Sequence, residues 1–174
     1  MRLWTLGHST RPADAFLAAL RAHGIGALAD VRAYPRSRRW PWFDGDALRD
    51  ALGGAGIAYH WLGKELGGHR TGAPGSPHTA LDAFRPYADH METPLFAAGV
   101  ARLLDLARTT PTACLCAEKD WRRCHRRFLA DRLVLLDGAE VTHVLDADAA
   151  EEHAVNPHAR VEGARIVYDG GMLF

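Results

Sequence analysis

The chain has 174 residues, of which 48% are hydrophobic, and its 21 basic side chains balance 21 acidic ones. This length fits one core, and this hydrophobic content is normal for a globular protein, so disorder is not expected. A formal net charge of zero excludes a uniformly basic nucleic-acid binder, and any anion site must therefore be a local patch.

Membrane insertion and secretion are not expected either. No apolar run approaches the roughly 18 residues of a membrane span, and the N-terminal MRLWTLGHST lacks the long apolar stretch of a signal peptide. Three cysteines are an odd number, which excludes a complete disulfide framework. These features predict a cytoplasmic protein with reduced thiols and no membrane partner.

Hydrophobic patterning alternates short strands with amphipathic helices. Strands are predicted at 3–7, 26–31, 57–62, 112–116 and 140–145. Helices are predicted at 12–23, 46–53, 84–91, 94–108 and 121–136. Thr10 and Asp44 are predicted to cap the first two helices, and Thr93 precedes a proline that opens the fourth. The segment 63–86 is rich in Gly, Pro and His and is predicted to be a long loop, which is often functional.

This alternation predicts an α/β fold: a single three-layer domain with a mostly parallel sheet of about five strands and helices on both faces. Residues 1–146 would form the core domain, and residues 147–174 a C-terminal extension packed on it. Within that extension, 165–173 is predicted to form a hairpin or an edge strand with a turn at Asp-Gly-Gly.

Polar and reactive side chains follow four successive predicted strands. They include His8 and Ser9 after the first, Asp30, Arg32 and Arg36 after the second, Lys64 and Glu65 after the third, and Cys116, Glu118 and Lys119 after the fourth. In open α/β sheets ligands bind beyond the carboxyl ends of the strands, so a shared cleft is predicted there.

Two of these segments have an ordinary and a functional interpretation. Gly7-His8-Ser9-Thr10 is either a strand-to-helix turn or a set of free backbone amides that binds an anion at a helix N-terminus. The tryptophan-rich segment 40–43, beside several arginines, suits a stacked, phosphate-bearing ligand, but also a hydrophobic lid or a partner-docking surface.

The segment CLCAEKDWRRCHRR (114–127) is the most distinctive of the chain. Alternation along a strand sends Cys114 into the core and places Cys116 at the strand tip, facing the N-terminus of the next helix, which favours a nucleophilic thiol. The spacing from Cys116 to Arg122 fits the C-x5-R loop of phosphatases, but the loop between them has no glycine, and Glu118 would repel a phosphate. A rhodanese-like sulfur transferase shows the same order of Asp-Val-Arg and Cys-loop-Arg segments.

A metal site at Cys116, Cys124 and His125 is not predicted, because two adjacent residues on one helix point about 100° apart. A disulfide between the two cysteines is considered only as a redox device. The ordinary alternative places Cys124 against the sheet and the neighbouring arginines in solvent.

Together these residues resemble the uncharacterised family named domain of unknown function 488. The motifs that carry the resemblance are TLGHST (5–10), LADVRAYPRSRR (28–39), GIAYHWLGKELGG (56–68), YADHMETPLF (87–96) and CLCAEKDWRRCHR (114–126). The resemblance implies no established activity or cofactor. It puts these residues in motif positions: His8, Ser9, Asp30, Arg32, Pro35, Arg36, Ser37, Tyr59, Cys116, Glu118, Lys119, Cys124, His125 and Arg126.

The resulting hypothesis is a basic cleft that binds a phosphate-bearing ligand, either a nucleotide or a nucleic acid. The ligand-binding residues would be Ser9, Asp30, Arg32, Arg36, Lys119 and Arg126; the three arginines and Lys119 would contact the anion, and Ser9 would add a hydrogen bond. His8 or His125 would act as general acid or base, Glu118 would orient an arginine, and Cys116 would be the nucleophile of any covalent step. The alternatives are a cysteine-dependent transferase or hydrolase and a non-enzymatic interaction module.

Overall fold

The structure, a computed structural model that describes residues 1–170, is built around a mixed sheet of six strands. In chain order these are β1 (Arg2–Gly7), β2 (Ala27–Asp30), β3 (Ala58–Trp61), β4 (Thr112–Cys116), β5 (Glu140–Asp146) and β6 (Ala149–Glu152). They lie in the order β3-β2-β4-β1-β5-β6, and all neighbours are parallel except β5 and β6. A separate antiparallel hairpin pairs β7 (Ala159–Glu162) with β8 (Arg165–Tyr168).

Helices connect the parallel strands. They are α1 (Ala13–Ala22), α2 (Gly45–Gly54), α3 (Gly63–Leu66), α4 (Arg85–Met91), α5 (Pro94–Thr109) and α6 (Arg126–Leu135). Single 3-10 turns occupy Pro41–Phe43 and Trp121–Arg123. Within residues 1–170, no helix has the length and apolar character that crossing a membrane requires.

Two apolar layers cover the two faces of the sheet, because side chains alternate along each strand. Leu3 and Cys114 face the layer that contains α5 and α6, whereas Leu6 and Leu115 face the layer that contains α1 and α2. All four side chains are fully buried. The predicted three-layer α/β fold with a mostly parallel sheet is therefore confirmed, with β6 as an additional antiparallel edge strand that the sequence patterning did not predict.

Several local predictions were wrong at element boundaries. Pro12 rather than Thr10 occupies the N-cap of α1, and Asp44 stands at the N-cap of α2 without a side-chain capping bond. The predicted loop 63–86 contains α3 and the start of α4.

The C-terminal strand β8 belongs to a hairpin that begins upstream of the predicted one. It pairs with the preceding strand β7 across a turn at Gly163, which has a φ of 60°. Positions 171–173 of the prediction, which include the last glycine of the predicted Asp-Gly-Gly turn, lie outside the described residues.

The connections reverse direction between the adjacent strands β1 and β4. The chain leaves β1 through α1 on one face of the sheet and leaves β4 through α6 on the other. A crevice opens where neighbouring connections diverge in this way. Gly7, at the end of β1, permits a close approach there, because a Cβ at this position would collide with the backbone carbonyl of Glu118.

Candidate functional site

A cleft of about 690 Å³ lies at the carboxyl ends of β1, β2 and β4. This volume is within the range of small-molecule sites. The predicted site residues that line it are His8, Ser9, Arg32, Arg36, Cys116, Glu118 and His125. Asp30, Lys119 and Arg126, which were also predicted to contact the ligand, do not line it.

Asp30 and Arg32 form a buried ion pair, in which Arg32 lines the cleft and Asp30 lies behind it. Arg32 Nη2 lies 2.6 Å and Nε 2.9 Å from the Asp30 carboxylate, which also accepts a hydrogen bond of 2.8 Å from Tyr59. Burial alone would lower the pKa of Arg32, but the hydrogen bonds and charge of Asp30 outweigh it and raise that pKa. The pKa of Tyr59 is also raised, first by burial and then by the negative charge of Asp30.

His8 is held as a neutral imidazole beside this pair. Its ring stacks on Phe43 with centroids 4.2 Å apart, and its Nδ1 donates to the Ser9 carbonyl at 2.9 Å. The opposite nitrogen, Nε2, therefore faces Arg32 Nη1 at 3.3 Å as an acceptor. Burial lowers the pKa of His8 to about 4, so at neutral pH this side chain is uncharged and has no proton on Nε2.

In the turn after β1, two of the backbone amides that one interpretation of Gly-His-Ser-Thr predicted to be free for an anion are already bonded. The backbone amides of His8 and Ser9 donate at 2.9 Å to the carbonyl oxygens of Cys116 and Ala117. These bonds extend the pairing of β1 with β4 and leave neither amide for an anion. Ser9 adopts a φ of 48°, which turns the chain away from the sheet toward α1.

Three side chains from the segment after β4 converge at the floor of the cleft: Cys116, Cys124 and His125, hereafter the Cys-Cys-His cluster. His125 Nδ1 lies 3.9 Å from Cys116 Sγ and 3.6 Å from Cys124 Sγ. All three donor atoms lie within 4.8 Å of one another. Cys124 and His125 are 3% and 6% exposed, and Cys116 is half-buried.

This convergence shows that the predicted helix over 121–136 was wrong at its start. A 3-10 turn closed by the Asp120 side chain ends at Arg123, and α6 begins only at Arg126. Between them Cys124 is extended, with φ −126° and ψ 151°, and this folds its side chain back toward Cys116. The argument that two adjacent helical residues must diverge therefore does not apply to Cys124 and His125.

Hydrogen bonds fix the orientation of the cluster. His125 Nε2 donates to the Val31 carbonyl at 3.2 Å, which assigns the lone pair of the ring to Nδ1, facing the two sulfurs. Arg126 Nε donates to Cys124 Sγ at 3.4 Å. A hydrogen bond from the Cys116 thiol lowers the pKa of Cys124, with His125 and Arg126 acting in the same direction, while the pKa of Cys116 is raised.

The comparison with known proteins identifies the family. A family model described as domain of unknown function DUF488 matches residues 12–133. The chain belongs to this family. No curated protein and no solved structure matches it. The DUF488 match includes the Asp30–Arg32 pair and the whole Cys-Cys-His cluster, whereas His8 precedes it.

In this DUF488 chain, Arg126 points into the interior rather than toward a ligand. It is 1% exposed and donates to the Glu118 backbone carbonyl at 2.5 Å and to Thr5 Oγ1 at 3.3 Å. The Glu118 carboxylate accepts from the Asp120 amide instead, at 3.1 Å. The prediction that this carboxylate orients Arg126 or Arg32 was therefore wrong, because the contact is made by the backbone of Glu118.

Sequence reasoning missed parts of the DUF488 cleft. Arg123, assigned to solvent, lines it, as do Tyr34, which lies in a quoted motif without an assigned role, and His69, which directly follows one. Within the tryptophan-rich segment, Trp40 lines the cleft and Phe43 is fully buried. This packing favours a cleft wall over a free docking surface.

Proposed function

We propose that the cleft binds a phosphate-bearing ligand with a planar ring, a nucleotide or the end of a nucleic-acid strand. The observation that carries this proposal is the charge of the lining. Of the described residues that line the cleft, three are arginines, namely Arg32, Arg36 and Arg123, and one, Glu118, is a carboxylate. Arginine side chains are well suited to phosphate oxygens.

The three arginines differ in what they offer a ligand. Arg32 is neutralised by Asp30, and its donors already bond Asp30, His8 and the Phe43 carbonyl. Arg36 and Arg123 are exposed, and among residues 1–170 their side chains form no ion pair. These two side chains are therefore the proposed phosphate contacts, and Arg32 is a neutralised part of the wall.

Aromatic side chains also line the cleft, and their rings are the reason for proposing a ligand with a planar ring. Tyr34 is 72% exposed and Trp40 half-buried, and both line the cleft. Exposed aromatic faces stack on nucleobases without requiring a particular sequence. Trp40 also supplies an intrinsic fluorescence signal for binding.

The test is calorimetric titration with AMP, adenosine, inorganic phosphate and a short oligonucleotide with or without a 5′-phosphate. Arg36→Ala combined with Arg123→Ala is expected to weaken binding of AMP or of the phosphorylated oligonucleotide about 100-fold, because two charge-assisted hydrogen bonds are lost. The matched control is Arg21→Ala combined with Arg38→Ala, which removes the same charge from exposed arginines outside the cleft. Equal weakening by both double variants, or no binding of either phosphorylated probe, would contradict the proposal.

A cysteine-dependent transferase or hydrolase is the second candidate, favoured by the 3.9 Å between Cys116 Sγ and His125 Nδ1. In that reaction His125 takes the thiol proton as Cys116 bonds to an electrophilic centre of the ligand, and the leaving group departs with that proton. Mass spectrometry would detect a substrate-derived adduct on Cys116 that Cys116→Ser lacks. An adduct on Cys114 or Cys124 alone would exclude Cys116 as the nucleophile.

A further inference from the structure

We propose that the Cys-Cys-His cluster is a binding site for one Zn²⁺ ion, with a fourth coordination position open to the cleft. Cysteine thiolate and histidine nitrogen are the ligands that zinc prefers in proteins. The inference does not depend on the phosphate-bearing ligand, because it concerns the floor of the cleft rather than the arginines and aromatic rings that line it elsewhere.

The spacing of the three donor atoms matches a zinc tetrahedron. Zinc–sulfur bonds of about 2.3 Å and zinc–nitrogen bonds of about 2.0–2.1 Å, at tetrahedral angles, place sulfur and nitrogen about 3.6 Å apart and two sulfurs about 3.8 Å apart. The observed distances from His125 Nδ1 are 3.6 Å to Cys124 Sγ and 3.9 Å to Cys116 Sγ. The two sulfurs lie within 4.8 Å of each other, so small rotations of side chains suffice to close the site.

The surroundings of His125 are those of a metal ligand. A ligating imidazole donates its other N–H to a carboxylate or a carbonyl, which fixes the ring and its tautomer. His125 does this through Nε2 and the Val31 carbonyl. The Tyr87 ring, 5.0 Å from the imidazole centroid, restricts its rotation further. Its free nitrogen is thereby held toward the sulfurs before any ion arrives.

The fourth side of the tetrahedron faces the cleft. All three ligands line the cleft. Gly68 lies beside the site, and a Cβ there would stand 2.6 Å from His125 Nδ1, so the lack of a side chain keeps this nitrogen accessible. Three protein ligands with one open position characterise catalytic rather than structural zinc.

A zinc site accounts for all three side chains, and the alternatives do not. A nucleophile–base pair needs one sulfur and one imidazole, which leaves unexplained why a second buried sulfur, Cys124 Sγ at 3.6 Å, lies even closer to the same nitrogen than Cys116 Sγ at 3.9 Å. A redox disulfide needs two sulfurs and no oriented nitrogen. Two thiolates balance the charge of the ion, and each thiol that ligates releases its proton to solvent without any change in oxidation state.

The test is equilibrium dialysis of the full chain, without a histidine tag, against Zn²⁺ under reducing conditions after treatment with a chelator. We expect one equivalent of zinc to bind. Cys116→Ser, Cys124→Ser and His125→Ala are each expected to weaken binding 100-fold or more. The matched controls Cys114→Ala and His69→Ala remove a nearby thiol and a cleft imidazole that are not in the cluster, and are expected to bind zinc as the wild type does.

Two measurements on chains without cluster substitutions guard against variants that fail to fold. Co²⁺ in place of Zn²⁺ is expected to give thiolate-to-cobalt charge transfer and tetrahedral absorption bands in the wild type and in Cys114→Ala. Zn²⁺ is expected to protect Cys116 and Cys124 from alkylation by iodoacetamide, as mapped by mass spectrometry. The proposal would be overturned if the wild type bound no stoichiometric zinc or gave no charge transfer with Co²⁺. It would also be overturned if Cys116 and Cys124 formed a disulfide and the reduced protein bound no zinc.

Discussion

Replacing Asp30 with asparagine tests the electrostatics of the cleft wall. Asp30 is fully buried and Arg32 is 5% exposed, so neither charge is solvated by water. The Asp30 carboxylate accepts hydrogen bonds from the Arg32 backbone amide, from the Arg32 guanidinium and from the Tyr59 hydroxyl. Asn has the same shape but no charge, and its amide nitrogen would turn a donor toward these donors.

The expected loss of stability is large because one charge of a buried pair remains. Removing one partner of such a pair typically costs about 3–5 kcal/mol. For a chain of this size, each kcal/mol lowers the melting temperature by roughly 2–4 °C, so Asp30→Asn is expected to lower it by roughly 6–20 °C. A double variant, Asp30→Asn with Arg32→Met, removes both charges and is expected to recover a large part of this loss.

Thermal unfolding followed by circular dichroism, with urea titration as a second measure, provides the readout. The matched control is Asp46→Asn, which removes a carboxylate from the exposed Asp46–Arg49 pair and is expected to cost less than about 1 kcal/mol. If Asp30→Asn and Asp46→Asn lower the melting temperature equally, the Arg32 charge is not held by Asp30. The description of the cleft wall would then be wrong.

Two further predictions concern other parts of the fold. Thr93 is the N-cap of α5, and its Oγ1 accepts a hydrogen bond from the Phe96 amide at 3.2 Å. Thr93→Ala is therefore expected to lower the free energy of unfolding in urea by about 1 kcal/mol. Thr93→Ser keeps the hydroxyl and is expected to lower it much less. Burial first, and then the neighbouring His153 and Arg126, lower the pKa of His143 to about 3, against the opposing charge of Glu151. Because the unfolded imidazole has a pKa near 6.5, the unfolded state binds the proton first, and lowering the pH from 7.5 to 5.5 is expected to remove about 1.4 kcal/mol of stability through His143. His143→Gln should lack this contribution and keep that of other buried imidazoles with a lowered pKa, such as His8, whereas profiles parallel to the wild type would show that His143 makes no contribution.

The position of the cleft was predictable because it depends on topology. Alternation of strands and helices predicts a parallel sheet, and right-handed connections bring the carboxyl ends of its strands to one edge. His8, Arg32 and Cys116 are far apart in the chain, yet they line one cleft. Their individual roles as ligand contacts or catalytic groups remain predictions that the experiments above address.

The arrangement of the Cys-Cys-His cluster at the floor of the cleft was not predictable from the sequence, because it depends on where α6 begins and on the burial of Arg126. Sequence patterning extends a helix through Cys124, but the Asp120 side chain closes a separate turn and leaves Cys124 extended. Likewise, an arginine at the start of a helix is usually solvated. Arg126 is buried because Thr5, Glu118 and Cys124 happen to satisfy its donors, and such tertiary contacts leave no pattern in the sequence.

The burial of Arg126 bears on the ionisation of the cluster. A buried guanidinium is costly unless an anion compensates its charge, and among residues 1–170 Arg126 forms no ion pair with a carboxylate. The acidic group that it contacts is Cys124 Sγ, at 3.4 Å. The fold therefore favours a thiolate at Cys124, which is the form in which sulfur binds a metal or attacks an electrophile. With Arg32 neutralised by Asp30 and Arg126 compensated by Cys124, the arginines that remain without an ion pair among the described cleft residues are the exposed Arg36 and Arg123, which are the proposed phosphate contacts.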